Sequence, residues 1–177
     1  MVQRAITNPD IWSHVFAANK HFPNSKLPLL VYRKAIALPR QKHKAAEIVR
    51  KVFASHGWGN AWQDGIYDFH HYHSNTHECL GICMGEATVI FGGPGGKSIK
   101  VGTGDVIILP AGTGHKCSTK SDDFLCVGAY PQNKDYDIKL GRFSELAEAR
   151  KHIASVPVPE QDPVFGKEGY LRAYWDK

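Results

Sequence analysis

A chain of 177 residues, 42% hydrophobic and 22% charged, can bury its own core as one domain and carries no compositional mark of disorder. No run approaches the roughly 20 apolar residues of a membrane-spanning helix, and the opening MVQRAITNPDIW lacks the apolar core of a secretory leader; a soluble, cytoplasmic protein with no membrane partner is expected. The formal charge of +5 raises nucleic acid as a partner, but the densest basic group (Arg40, Lys42, Lys44, Arg50, Lys51) belongs to one amphipathic helix and no nucleic-acid-binding motif accompanies it, so none is expected.

In chain order, Leu29-Leu30-Val31-Tyr32 and the alternating stretch to Leu38 predict a strand closed by Pro39. From Lys42 to Ser55 the apolar positions Ala45, Ile48, Val49, Val52 and Phe53 recur at three- and four-residue intervals, which predicts a helix stopped by His56-Gly57. From Trp58 to about Tyr130 the texture changes to short β-rich runs punctuated by glycine, the pattern of a sandwich or barrel, with Gly92-Gly93-Pro94-Gly95-Gly96 as a hairpin loop. A second helix is expected from Glu145 to about His152 with Ser144 as its N-cap, followed by an extended tail over 156–177 that docks its aromatics on the barrel. The domain reading is therefore a single domain over 1–177: a β core at about 58–130, an N-terminal strand and helix extension (1–57), and a C-terminal helix and tail (131–177).

Cys79, Cys83, Cys117 and Cys126 form no Cys-x-x-Cys pair and fit neither a zinc ribbon nor a disulfide framework, so free and mostly buried thiols are expected. The histidines are more informative. His70, His71, His73 and His77 lie within eight residues, beside Glu78. On a strand, His71 and His73 share one face with Tyr67 and Phe69, while His70 and Tyr72 share the other. A turn over Ser74–His77 would return Glu78 toward the pair, with Leu80 and Ile82 continuing the inward face. His115, after the buried-looking strand Asp105–Leu109 and the turn Pro110-Ala111-Gly112-Thr113-Gly114, is the candidate that completes the set.

Two spaced patterns carry a family resemblance. Gly65-x5-His71-x-His73-x4-Glu78-x6-Gly85 resembles the first cupin motif at every fixed position, and Gly104-x5-Pro110-x-Gly112-x2-His115 resembles the second, with Thr119 where asparagine is usual. The wording around His70–Glu78, Pro110–His115 and Val127–Pro131 resembles a subgroup of uncharacterised single-domain bacterial cupins. The resemblance implies a mostly β fold, a double-stranded β-helix (jelly-roll) barrel with flanking N- and C-terminal helices. It also implies one divalent metal ion (zinc, iron, manganese or nickel) held by His71, His73, Glu78 and His115.

A divalent cation with one carboxylate leaves the site near +1, which favours a small anionic or oxygenated molecule in the barrel. Two functions follow: a metal-dependent enzyme of oxygenase or isomerase type, in which Glu78 is also the candidate catalytic group, or a non-catalytic sensor or storage-type cupin with a structural metal. Metal should be lost as pH falls through about 6.5, because imidazoles bind only when neutral. Strand parity turns His77 away from the cluster, toward the surface or a supporting position. His70 and Tyr72 are read as outer-face residues at a possible homodimer contact, Tyr67 and Phe69 as lining the mouth or interior, and Cys117 as a buried structural cysteine rather than a thiol at the metal.

Overall fold

The structure is a computed structural model that describes residues 5–176; the first residues of the opening segment read for a leader, and Lys177 of the tail, lie outside them. The described residues form nine strands: β1 (Asp10–His14), β2 (Leu29–Arg33), β3 (Trp58–Asp64), β4 (Glu78–Met84), β5 (Glu86–Phe91), β6 (Lys97–Gly102), β7 (Val106–Leu109), β8 (His115–Lys120) and β9 (Leu125–Pro131). They form a six-stranded sheet in the order β1-β2-β7-β4-β9-β3 and a three-stranded sheet β6-β5-β8. Every pairing is antiparallel, and the two sheets enclose one core as a mostly β jelly roll, as expected.

Both faces of the larger sheet are covered, which explains its unbroken apolar runs. Leu29, Val31, Leu80, Ile82, Ile107 and Leu109 pack inward against Val89, Phe91 and Cys117 of the smaller sheet. Their neighbours in sequence, Leu30, Tyr32, Cys79, Val106 and Ile108, face the opposite way and pack under α1 (Lys42–Ser55) and the C-terminal tail. Helix α1 has the predicted bounds. It approaches β4 so closely that a Cβ at Gly81 would sit 2.5 Å from Val49 Cγ1, so the strand needs glycine there for the helix to seat.

Several boundaries differ from the sequence expectation, each for a local reason. The strand expected to reach Leu38 stops at Arg33, because Lys34 takes a left-handed φ of 50° and its N–H turns to the Asp105 carboxylate. The second helix, α2 (Leu146–Ser155), starts later and runs further than expected, and a 3-10 turn at Phe143–Glu145 precedes it. Ser144 is not its cap; the Glu145 carboxylate accepts the Leu140 and Arg142 N–H groups instead. The tail is not extended to its end but closes in a helical turn, α3 (Leu171–Trp175). The buried Asp162 carboxylate organises it, accepting from Val164 N, Phe165 N, Leu171 N and the Tyr32 hydroxyl. Trp175 is buried on the sheet and donates to Pro28 O. Among the described residues no helix is long and apolar enough to cross a membrane.

Candidate metal centre

The segment before β4 forms no full strand. His71 pairs with His115 and Tyr72 with Lys139 as isolated antiparallel bridges, and this is enough to preserve the alternation that turns His71 and His73 to the same side. The bond from His115 N to His71 O (2.9 Å) and its reciprocal (3.2 Å) tie the segment to β8. Glu78 and His115 arrive as the first residues of β4 and β8, one from each sheet. The turn before His115 is held by Gly112 N–H on His73 O at 2.8 Å. Gly112 has φ +94°, and a Cβ there would lie 2.4 Å from Asn24 O, so glycine is required on both counts.

One ring nitrogen from each of His71, His73 and His115 lies within 4.8 Å of the others, near the roughly 3–4 Å separation of nitrogens about 2.1 Å from a shared ion. Glu78 Oε2 sits 3.3 Å from His73 Nε2 and 3.4 Å from His115 Nε2. All four residues are buried. The orientation of each ring follows from its other nitrogen. His71 Nδ1 meets Phe69 O at 3.0 Å, His115 Nδ1 meets Thr113 O at 3.0 Å, and His73 Nδ1 makes a short contact with Asp137 O. A carbonyl only accepts, so each Nδ1 carries its hydrogen and each neutral ring leaves an Nε2 lone pair free for the cluster. The donor set is thus three imidazole nitrogens and one carboxylate, which suits a borderline divalent cation.

The electrostatics fit the same picture. Burial, then the neighbouring His115, lowers the His71 pKa to about 3, which keeps that ring neutral at physiological pH. Burial also opposes charge on His73, but the Glu78 carboxylate, its hydrogen bond and the Asp137 contacts outweigh it and push His73 up. Burial would raise Glu78, yet His73 and His115 hold it well below the usual carboxylate range. The Glu78 carboxylate thus strengthens the hold of His73 on a proton, and a metal would compete with that proton.

A family model of the cupin domain matches residues 63–127. YjlB, an uncharacterised protein of Bacillus subtilis (strain 168), is 38% identical over 166 residues, covering 93% of this chain and 96% of YjlB. The chain belongs to the cupin family. Among solved structures, this cupin overlaps an acireductone dioxygenase from Bacillus anthracis with a cadmium ion in its active centre (14% identity, 70% of this chain and 79% of that one, TM-score 0.38). It also overlaps a DUF861 family protein from Thermotoga maritima (19% identity, 56% and 96%, TM-score 0.33). At such scores the likeness bears on neither substrate nor reaction.

The other residues singled out in the sequence fall into place around the cluster. His77 does face away, but it is buried rather than at the surface: Nδ1 accepts from Ala111 N at 2.9 Å and Nε2 meets Pro157 O at 3.2 Å. It therefore props the turn that delivers His115, with Trp175 against its ring at 4.7 Å. Tyr72 is not available for a dimer contact, because this cupin's own Phe22, Ala149 and Ile153 cover it completely; His70 is half-buried against Phe22. Cys117 packs in the barrel core, and all four cysteines are free and buried. Tyr67 lines the chamber over the cluster, while Phe69 stacks behind it, and both are largely exposed.

Sequence reasoning missed three residues. Tyr130 O–H donates to Glu78 Oε1 at 2.7 Å, and Trp62 Nε1–H donates to the Tyr130 oxygen at 2.7 Å. Asp137 supplies the carbonyl that orients His73. Tyr130 sits on inward parity with Cys126 on β9, a signal that was readable, whereas nothing local marks Trp62 or Asp137.

Proposed function

We propose that this cupin binds one divalent metal through His71, His73, Glu78 and His115 and is a metal-dependent enzyme of oxygenase or isomerase type acting on a small oxygenated molecule. The observation that carries the metal reading is the set of three Nε2 lone pairs, each aimed by an Nδ1–H on a backbone carbonyl, beside a buried carboxylate. When bound, the ion would supply Lewis acidity, or a place for dioxygen, at the floor of a chamber of about 190 Å3.

The protein's own groups do the remaining work. The imidazole of His71 stays neutral under burial and the neighbouring His115. Glu78 presents Oε2 to the cluster while its Oε1 accepts from the Tyr130 hydroxyl, which fixes the carboxylate's orientation. Trp62, Leu80 and Ile66 exclude bulk water from one side of the chamber. Elemental analysis of protein purified without added metal tests the reading: one equivalent of iron, manganese, nickel or zinc per chain is expected, lost in His71→Ala and His115→Ala. Retention of full metal by both variants would overturn it. Turnover or oxygen uptake by the loaded protein supports the enzyme, and an inert zinc site supports a binding module. A cytoplasmic location belongs to the same reading and is checked by cell fractionation.

A further inference from the structure

Two aromatic stacks flank the cluster. On one side Tyr67 lies 5.1 Å from the His71 ring and is backed by Phe69, with centroids 4.8 Å apart and planes 19° from parallel. On the other, Tyr136 lies 5.1 Å from the His73 ring and is backed by Tyr130, at 4.6 Å and 20°. Tyr67 and Tyr136 both line the chamber. Each inner ring is stiffened by a parallel ring behind it. Tyr67 and Phe69 nonetheless remain 46% and 41% exposed, and apolar rings left in water at the mouth of a cavity point to a ligand that covers them.

Size and charge narrow the occupant. About 190 Å3 is below the roughly 300–1,000 Å3 of a drug-sized site, while an apolar cavity of about 150 Å3 takes one benzene. There is room for one ring and a small head. Among the described residues no lysine or arginine lines the chamber; beyond the imidazoles its charged residues are Asp64 and Glu78. The exposed Lys120 brings its Nζ near the Gly65 backbone at the edge, where solvent screens it. A phosphorylated ligand would thus meet Asp64 with little opposing charge beyond the ion.

We propose that the chamber takes a single-ring planar ligand whose oxygen-bearing head reaches the His71, His73, Glu78, His115 cluster while its ring is held between Tyr67 and Tyr136. The proposal rests on the metal reading of the same cluster and names the ligand class for it. It assigns Tyr67 and Tyr136 the role of specificity residues that touch the ligand but not the ion.

The test uses cobalt-loaded full-length protein and three probes: benzohydroxamate and acetohydroxamate, which share a chelating head and differ in the ring, and inorganic phosphate. Benzohydroxamate should bind at least about tenfold more tightly than acetohydroxamate, through ring burial and stacking, and phosphate more weakly than either. In the Tyr67→Ala/Tyr136→Ala double variant the ratio should collapse toward one with cobalt content and visible spectrum unchanged, and Tyr136→Phe should restore part of it. An unchanged ratio in the double variant, or phosphate as the tightest probe, overturns the proposal. Should cobalt fail to bind at all, the metal reading fails separately: a preference for benzohydroxamate that the double variant abolishes would still support the aromatic jaws, and no preference would sink them.

Discussion

Two concavities among the described residues of this cupin bear histidines, and the larger of the two is not the candidate site. A groove of about 630 Å3 runs beside the tail and is lined by His56, His77, Lys134, His152 and Pro157. The chamber over the His71, His73, Glu78, His115 cluster is about 190 Å3. The difference lies in how the ring nitrogens are grouped: those of His71, His73 and His115 come within 4.8 Å of one another in the chamber, and among the described residues the groove holds no such cluster. In the groove, both nitrogens of His77 are engaged by backbone groups, as acceptor from Ala111 N and partner of Pro157 O. In the chamber, each imidazole spends one nitrogen on a carbonyl and leaves the other aimed at its neighbours. Volume measures room, whereas converging ring nitrogens measure capacity to bind.

Substitutions should separate the two regions, and the largest effect belongs to the chamber. His73→Ala removes a donor and leaves Glu78 Oε2 with one imidazole neighbour instead of two; metal affinity should fall by more than about 100-fold, beyond the 10–100-fold typical of a supporting residue, as measured by competition with a chromogenic chelator. His77→Ala should leave the metal stoichiometry at one and show itself instead as a drop in Tm, since it opens a buried site and frees Ala111 N–H. Equal metal loss in both variants would erase the distinction.

A second comparison concerns acid. Burial lowers the His77 pKa to about 4, from about 6.5 when unfolded. Because the folded state prefers the neutral ring, the stability it contributes is complete above pH 6.5 and is lost as pH falls toward 4, at about 1.4 kcal/mol per pH unit for this one group. Metal loss should begin at higher pH and from the opposite cause: His73, pushed up by Glu78, holds its proton more strongly and competes with the ion. Metal content and denaturant midpoint, followed together from pH 8 to 4, should therefore diverge, with His77→Gln flattening the stability curve alone.

A smaller change is expected from Tyr130→Phe. It removes the donor to Glu78 Oε1 and strands the Trp62 N–H; affinity should fall about tenfold with little change in fold. An affinity equal to wild type would show that the phenol does not hold the carboxylate in place. Smallest of all, Phe143→Ser at a position 78% exposed should move stability by no more than about 0.5 kcal/mol.

The local parts of this arrangement were legible in the sequence. Alternation turned His71 and His73 together and His77 away, because side-chain direction along extended backbone depends only on neighbours. Two of the three ring locks are equally local: His71 and His115 each reach a carbonyl two residues back, Phe69 O and Thr113 O. The α1 bounds followed from a 3.6-residue period and a glycine stop. Tertiary structure decided what no local rule reaches. His73 is oriented by a carbonyl 64 residues away, and Glu78 by a hydroxyl 52 residues away. Tyr72, outward by parity, is buried because α2 folds over it. Periodicity states which way a side chain points, and only the packed chain decides what stands there to meet it.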